Sequence, residues 1–173
     1  LATMGPPIGR AQARPAAELA NLELLESRFA LEWMPDPWRD VDDAGSWLLQ
    51  IAQRVRPDVV HVNGYTHAAL PFQAPVVCVA HSCVLTWSLA VHGRPAPAEW
   101  DEYRRRVGLG LAAADAVVAP TEAILTAVLE AHGVRARSRV IPNGRSARWW
   151  RPGQKEPLVL AAGRLWDEGK DLT

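Results

Sequence analysis

Residues 140–170 read VIPNGRSARWWRPGQKEPLVLAAGRLWDEGK, and the reading of this stretch decides the fold. A short apolar strand around Arg139-Val140-Ile141 ends at Pro142, and Asn143-Gly144 supplies a turn that tolerates positive φ. Pro152, Gly153 and Pro157 punctuate a polar connector. A second apolar run, Leu158-Val159-Leu160-Ala161-Ala162, then enters Gly163-Arg164, with Lys170 six positions later. A strand that enters a Gly/Arg/Lys loop has the form of the start of a second α/β unit. The spacing therefore predicts one domain over residues 1–147, a linker over 148–157, and the first strand and loop of a second domain over 158–173.

Upstream of this joint, apolar strands alternate with helical patterns. Val59 to Asn63, Val76 to Ala80 and Ala116 to Ala119 read as buried strands. Trp47, Leu48, Ile51 and Val55 share one face of a helix starting near Asp43, with Asp40, Asp42 and Asp43 suited to its positive end. Val84 to His92 reads as a short helix ended by Gly93. Pro97 opens a longer helix to about Ala114. Thr121 with Glu122 starts another, ended by Gly133. Gly5 to Arg14 reads as a loop, Leu19 to Ala30 as a short helix and strand, and 33–38 as turns. Leu1-Ala2-Thr3 has the form of the tail of a strand. Without hairpin signals, such alternation predicts an α/β fold with a parallel sheet and helices on both faces.

Composition narrows the function. Hydrophobic residues at 49% and charged residues at 22% fit a globular protein and exclude a disordered one. Lys+Arg and Asp+Glu both number 19, so no global basic field exists to hold nucleic acid. No apolar run approaches the roughly 20 residues of a membrane helix. Two cysteines, Cys78 and Cys83, cannot build a disulfide framework or a four-cysteine zinc site, and a cytoplasmic setting is the expectation.

In parallel sheets, ligands bind at the carboxyl ends of the strands. That rule selects Asn63-Gly64, His81-Ser82, Pro120-Thr121, Asn143-Gly144 and Gly163-Arg164, with His67 a candidate on the acceptor side. Arg grips phosphate oxygens in a fork and Lys adds a point charge, so Gly163, Arg164 and Lys170 fit a diphosphate. A solvated loop with unrelated charges fits the same spacing. Ser82 lacks the G-x-S-x-G elbow of a serine hydrolase. Gly108-Leu-Gly110-Leu-Ala-Ala113 mimics a dinucleotide fingerprint but lies within a helix. Asp40-Val41-Asp42 mimics a metal pair but suits a helix start, and no metal is expected. Arg104-Arg105-Arg106 reads as a solvated helix face, with docking to anionic lipid a minority reading. His61 and Cys78 read as core positions. Eight tryptophans occur over helices and loops, and core packing accounts for most such residues.

Taken in order, Pro57-Asp58-Val59-Val60-His61, Ala80-His81-Ser82, Ala114 to Thr121, Val140 to Gly144 and Ala162-Gly163-Arg164-Leu165 with Lys170 resemble glycosyltransferase family 4. The resemblance implies a Rossmann-like N-terminal domain of a GT-B fold and retaining transfer from a nucleotide sugar to a glycan, lipid or small-molecule acceptor. It implies His81 near the transferred sugar as the catalytic candidate. Gly163, Arg164 and Lys170 would hold the donor diphosphate, and Asn143-Gly144 would mark the passage between domains. It implies no essential metal or cofactor. Family members open with a first strand and a Gly-rich loop and carry a paired-glutamate motif further on, so this stretch is expected to be truncated at both ends and inactive alone. Arg145-Ser146 departs from the apolar-Asp pair usual there. The alternatives are a sugar-nucleotide epimerase on the same fold and a non-catalytic carbohydrate-binding domain built on the tryptophans.

Overall fold

The computed structural model describes residues 1–149, 153–164 and 166–170. Trp150, Pro152, Leu165 and positions 171–173, to which parts of the linker and donor-loop readings apply, lie outside them. The chain is α/β, with parallel sheets flanked by helices. Strands β3 (Val60–Val62), β4 (Val76–Val79), β5 (Ala116–Ala119) and β6 (Ser138–Val140) form one sheet in sequential order. Every pairing is parallel, with Val60 against Val76, Cys78 against Val117 and Val118 against Arg139. Strands β1 (Ala2–Thr3) and β2 (Leu25–Glu26) form a second parallel pair.

Local chemistry sets the helix ends. Helix α3 (Val84–His92) starts at Cys83, whose thiol accepts from the Thr86 amide while the Thr86 hydroxyl accepts from the Cys83 amide. It stops at Gly93, where φ is 65°. Helix α4 (Asp101–Ala113) follows a single 3-10 turn at Ala98–Trp100. In α5 (Glu122–His132) the Thr121 hydroxyl accepts from the Ile124 amide, and Gly133 closes the end at φ 62°. A reciprocal or single side-chain cap of this kind satisfies amides the first turn leaves unpaired. The core lies where α4 and α5 meet the sheet: Val107 and Leu111 pack with Cys78, Val117, Ala119 and Val128, all fully buried. On β4 and β5, buried and partly buried residues alternate, so one sheet face is the better covered.

Four differences from the sequence reading stand out. Residues 10–17 form helix α1 (Arg10–Ala17) despite Pro15, because four of its eight residues are alanines with high helix propensity. Helix α2 (Trp38–Val55) starts five residues before Asp43. Its buried positions are Val41, Ala44 and Gly45, while Val55 is half exposed. His61 is exposed rather than core, because β3 is an edge strand. The apolar run Leu158 to Ala162 carries no strand: no neighbour among the described residues pairs with it, and an unpaired strand leaves its amides unsatisfied. Val159 and Leu160 lie open to solvent.

Candidate functional site

A parallel sheet sends all its carboxyl ends to one edge, and that edge collects the candidates. His81 and Ser82 follow β4 and are both exposed. Asn63 follows β3, Thr121 follows β5, and Asn143-Gly144 follows β6, again exposed except for the partly covered Gly64 beside Asn63. The Thr121 hydroxyl is committed to capping α5.

The edge is held by a carboxylate that sequence reasoning missed. Glu32 is 8% exposed, and its two oxygens accept from the amides of Tyr65 (3.0 Å) and Thr66 (2.8 Å). It thereby ties the segment after β2 to the 3-10 turn at Thr66–Ala69 that follows β3. Tyr65 carries the link onward: its hydroxyl donates to the Ser82 carbonyl at 2.8 Å. The Val84 amide donates to the Tyr103 hydroxyl at 3.3 Å, anchoring the same corner to α4. Burial, reinforced by neighbouring Cys83 for Tyr65 and by Glu32 for Tyr103, pushes both phenols well above their usual range. Burial, with Glu32 adding to it, pushes the Cys78 thiol up to about 12. The two phenols are held by these bonds at the corner where β4 meets α3 and α4. The available signal was an acid inside the apolar run Leu31-Glu32-Trp33-Met34, which has no reason to be buried unless it is bonded.

His67 is turned inward. Its Nε2 donates to the Val41 carbonyl at 3.0 Å and its side chain is buried, so it joins the turn after β3 to α2 while lining the larger of the two hollows at the edge. Two hollows adjoin the edge. One, of about 490 Å³, runs between the two sheets. The other, of about 390 Å³, is walled by Trp33, Trp38, Trp100 and Tyr103 and shares Glu32 and Trp33 with the first. Three tryptophans have packing roles: Trp47 meets Phe29, Trp100 stands edge-on to Tyr103, and Arg106 lies 4.8 Å over Trp38.

The Gly163–Lys170 loop sits elsewhere. The Arg164 guanidinium is paired with Asp167 and lies 5.1 Å over Trp166, while Lys170 is exposed in a 3-10 turn at Glu168–Lys170. Glu168 bonds His92 at 3.1 Å, and Gly169 lies close to Trp87 and Val91. The loop thus rests on α3 through Trp87, Val91 and His92. Among the described residues no hydrogen bond or ion pair joins Arg164 or Lys170 to His81.

The triple arginine is neutralised locally. Arg104 faces Asp101, Arg105 faces Glu102, and Arg106 bridges Glu102 and Asp42. Arg105 and Arg106 hold the Glu102 carboxyl down at about 2. Asp42 is therefore an ion-pair partner, and Asp101, Glu102 and Asp42 together balance the three guanidinium charges. No group of three or more His, Cys, Asp or Glu residues that could hold a metal ion occurs among the described residues. No described helix is long and apolar enough to cross a membrane.

This is a Rossmann-like α/β domain with the exposed polar residues Asn63, His81, Ser82 and Thr121 following the carboxyl ends of its strands. The family model for Glycosyltransferase Family 4 matches residues 9–148, and the chain belongs to that family. No curated protein matches the sequence.

Proposed function

We propose that this chain is the acceptor-side domain of a glycosyltransferase that moves a sugar from a nucleotide sugar to an acceptor with retention of configuration. The observation that carries the reading is the exposed His81-Ser82 pair at the end of β4, in a chain that belongs to glycosyltransferase family 4. His81 stands beside the transferred sugar, and Ser82 fixes the corner through its carbonyl bond from Tyr65. Asn143-Gly144 forms the passage to residues 158–173, which open the donor domain; the family match ending at residue 148 supports that boundary. Gly163, Arg164 and Lys170 grip the donor diphosphate, where negative charge grows as the sugar leaves, and fixed cations aimed there are the main catalytic device. Arg164 must exchange Asp167 for phosphate, and the loop must leave α3, steps that belong to interdomain closure. The reaction needs no metal, and a cytoplasmic nucleotide-sugar pool supplies it.

The test is His81→Ala in the full-length protein. Transfer should fall on the order of 10²-fold or more, the scale of a lost positioned polar group, with thermal unfolding unchanged because His81 is exposed. Full activity in a folded His81→Ala protein removes His81 from the site.

A further inference from the structure

The smaller hollow, of about 390 Å³, falls in the size range of small-molecule sites, roughly 300–1,000 Å³. Three of its walls are indoles, and two of those rings are held from the protein side. Arg106 lies 4.8 Å over the Trp38 ring and is pinned in turn by Asp42 and Glu102, without itself lining the hollow. Trp100 stands edge-on to Tyr103, whose hydroxyl accepts from the Val84 amide. Trp33 is 55% exposed, on a backbone tied at both neighbours. Glu32 accepts from the Tyr65 and Thr66 amides, and the Met34 amide donates to the Leu31 carbonyl. Such walls receive a ligand without a large cost of ordering them.

The charged side chains that join these rings all have one sign. Glu32, Asp36 and Glu99 line the hollow, and no Lys, Arg or His does. Helices α2 and α4 begin beside it, and each positive end contributes about half a charge, less than the three carboxylates together oppose. The wall therefore repels an anion and draws a cation. The indole faces and the buried carboxylate decide which cation. Both oxygens of Glu32 already accept from backbone amides, so it supplies a field and no fresh hydrogen bond. A primary ammonium entering from water must replace three donated bonds. A quaternary ammonium donates none and is held by ring faces and charge. We propose that this hollow binds a small quaternary ammonium compound, with its methyl groups against Trp33, Trp38 and Trp100 and its charge balanced by Glu32. Asp36 and Glu99, both exposed, repel the phosphate of a choline lipid headgroup, which selects a free solute over a membrane surface. The proposal rests on the walls of the hollow and stands or falls independently of sugar transfer.

The probe is choline, titrated into the full-length protein and followed by calorimetry and by the indole N–H resonances. A Kd of about 1 mM or tighter is expected, with shifts at Trp33, Trp38 and Trp100 and none at Trp47, which packs on Phe29 instead. The uncharged carbon isostere of choline, with a tert-butyl group in place of trimethylammonium, should bind about tenfold more weakly, the scale of a cation–π contact. Ethanolamine should also bind more weakly than choline. These comparisons use the unaltered protein, so they hold even if a variant fails to fold. Trp33→Ala should weaken choline binding about tenfold, and Glu99→Gln should weaken it severalfold; both side chains are exposed, so Tm should stay the same. Absence of choline binding overturns the proposal. So does equal binding of the isostere or of ethanolamine, binding that leaves the Trp33 and Trp100 resonances unmoved, or a response to phosphatidylcholine vesicles without one to free choline.

Discussion

Gly108 and Gly110 lie two residues apart on α4, in a spacing that imitates a nucleotide fingerprint, and alanine at each should change stability in opposite directions. A Cβ on Gly110 would lie 1.9 Å from the Tyr65 carbonyl oxygen and 2.7 Å from its carbon. Ordinary contact begins near 3.4 Å, so about 1.5 Å of separation would have to be found against backbone. That carbonyl accepts from the Ala68 amide, and the adjacent amides of Tyr65 and Thr66 are held by Glu32, so the turn cannot slide freely. Overpacking of this kind costs about 1–3 kcal/mol, with backbone clashes at the upper end. Replacing a mid-helix glycine by alanine returns about 1 kcal/mol. The net expectation for Gly110→Ala is a loss of about 2 kcal/mol, or roughly 4–8 °C in Tm for a domain of this size. At Gly108 the nearest atom to the added Cβ is His132 Nδ1 at 3.9 Å, an ordinary contact. Gly108→Ala should therefore raise Tm by a few degrees through propensity alone. Urea or thermal unfolding followed by circular dichroism reads both. A Gly110→Ala protein as stable as the parent would refute the close approach of α4 to the turn after β3.

Glu32→Gln keeps the shape of the strap but removes its charge and one acceptor oxygen. Two charge-assisted bonds at a buried site are weakened, and a loss of about 2 kcal/mol in urea unfolding is expected; no loss would show that the strap contributes nothing. At alkaline pH, Cys78, Tyr65 and Tyr103 all have folded-state pKa values above their unfolded ones. Stability from these groups is complete below the unfolded values and is lost as pH rises toward the folded ones. Tm should accordingly begin to fall near pH 9, where the unfolded Cys78 thiol titrates, and continue falling toward pH 12. A Tm constant from pH 8 to 11 contradicts this. Cys78 should also resist thiol reagents at pH 8 until the chain is unfolded, because it is buried and protonated.

Most of the sheet and its helices were legible because their signals are local. Val84–His92 and Glu122–His132 are bounded by a capping residue and a glycine in the left-handed region, and both ends follow from the residues themselves. Helix α1 was missed because a proline outweighed the surrounding alanines in the reading, and the edge placement of β3, which exposes His61, depends on strand order that no local pattern carries. At the ligand edge, His81 and Ser82 were legible as polar residues ending an apolar strand. Glu32, Tyr65 and Tyr103 were not, because they come from three separate segments and act only once folding has joined them. His67 was legible near a strand end, but its bond to the Val41 carbonyl, 26 positions away in the chain, was not.

The most direct measurement follows one turnover of the full-length protein by NMR, reading the anomeric configuration of the transferred sugar together with the fate of the nucleotide. A glycoside with the donor's configuration and one equivalent of free nucleotide are expected. An inverted glycoside, or an isomerised nucleotide sugar with no glycoside formed, would contradict retaining transfer.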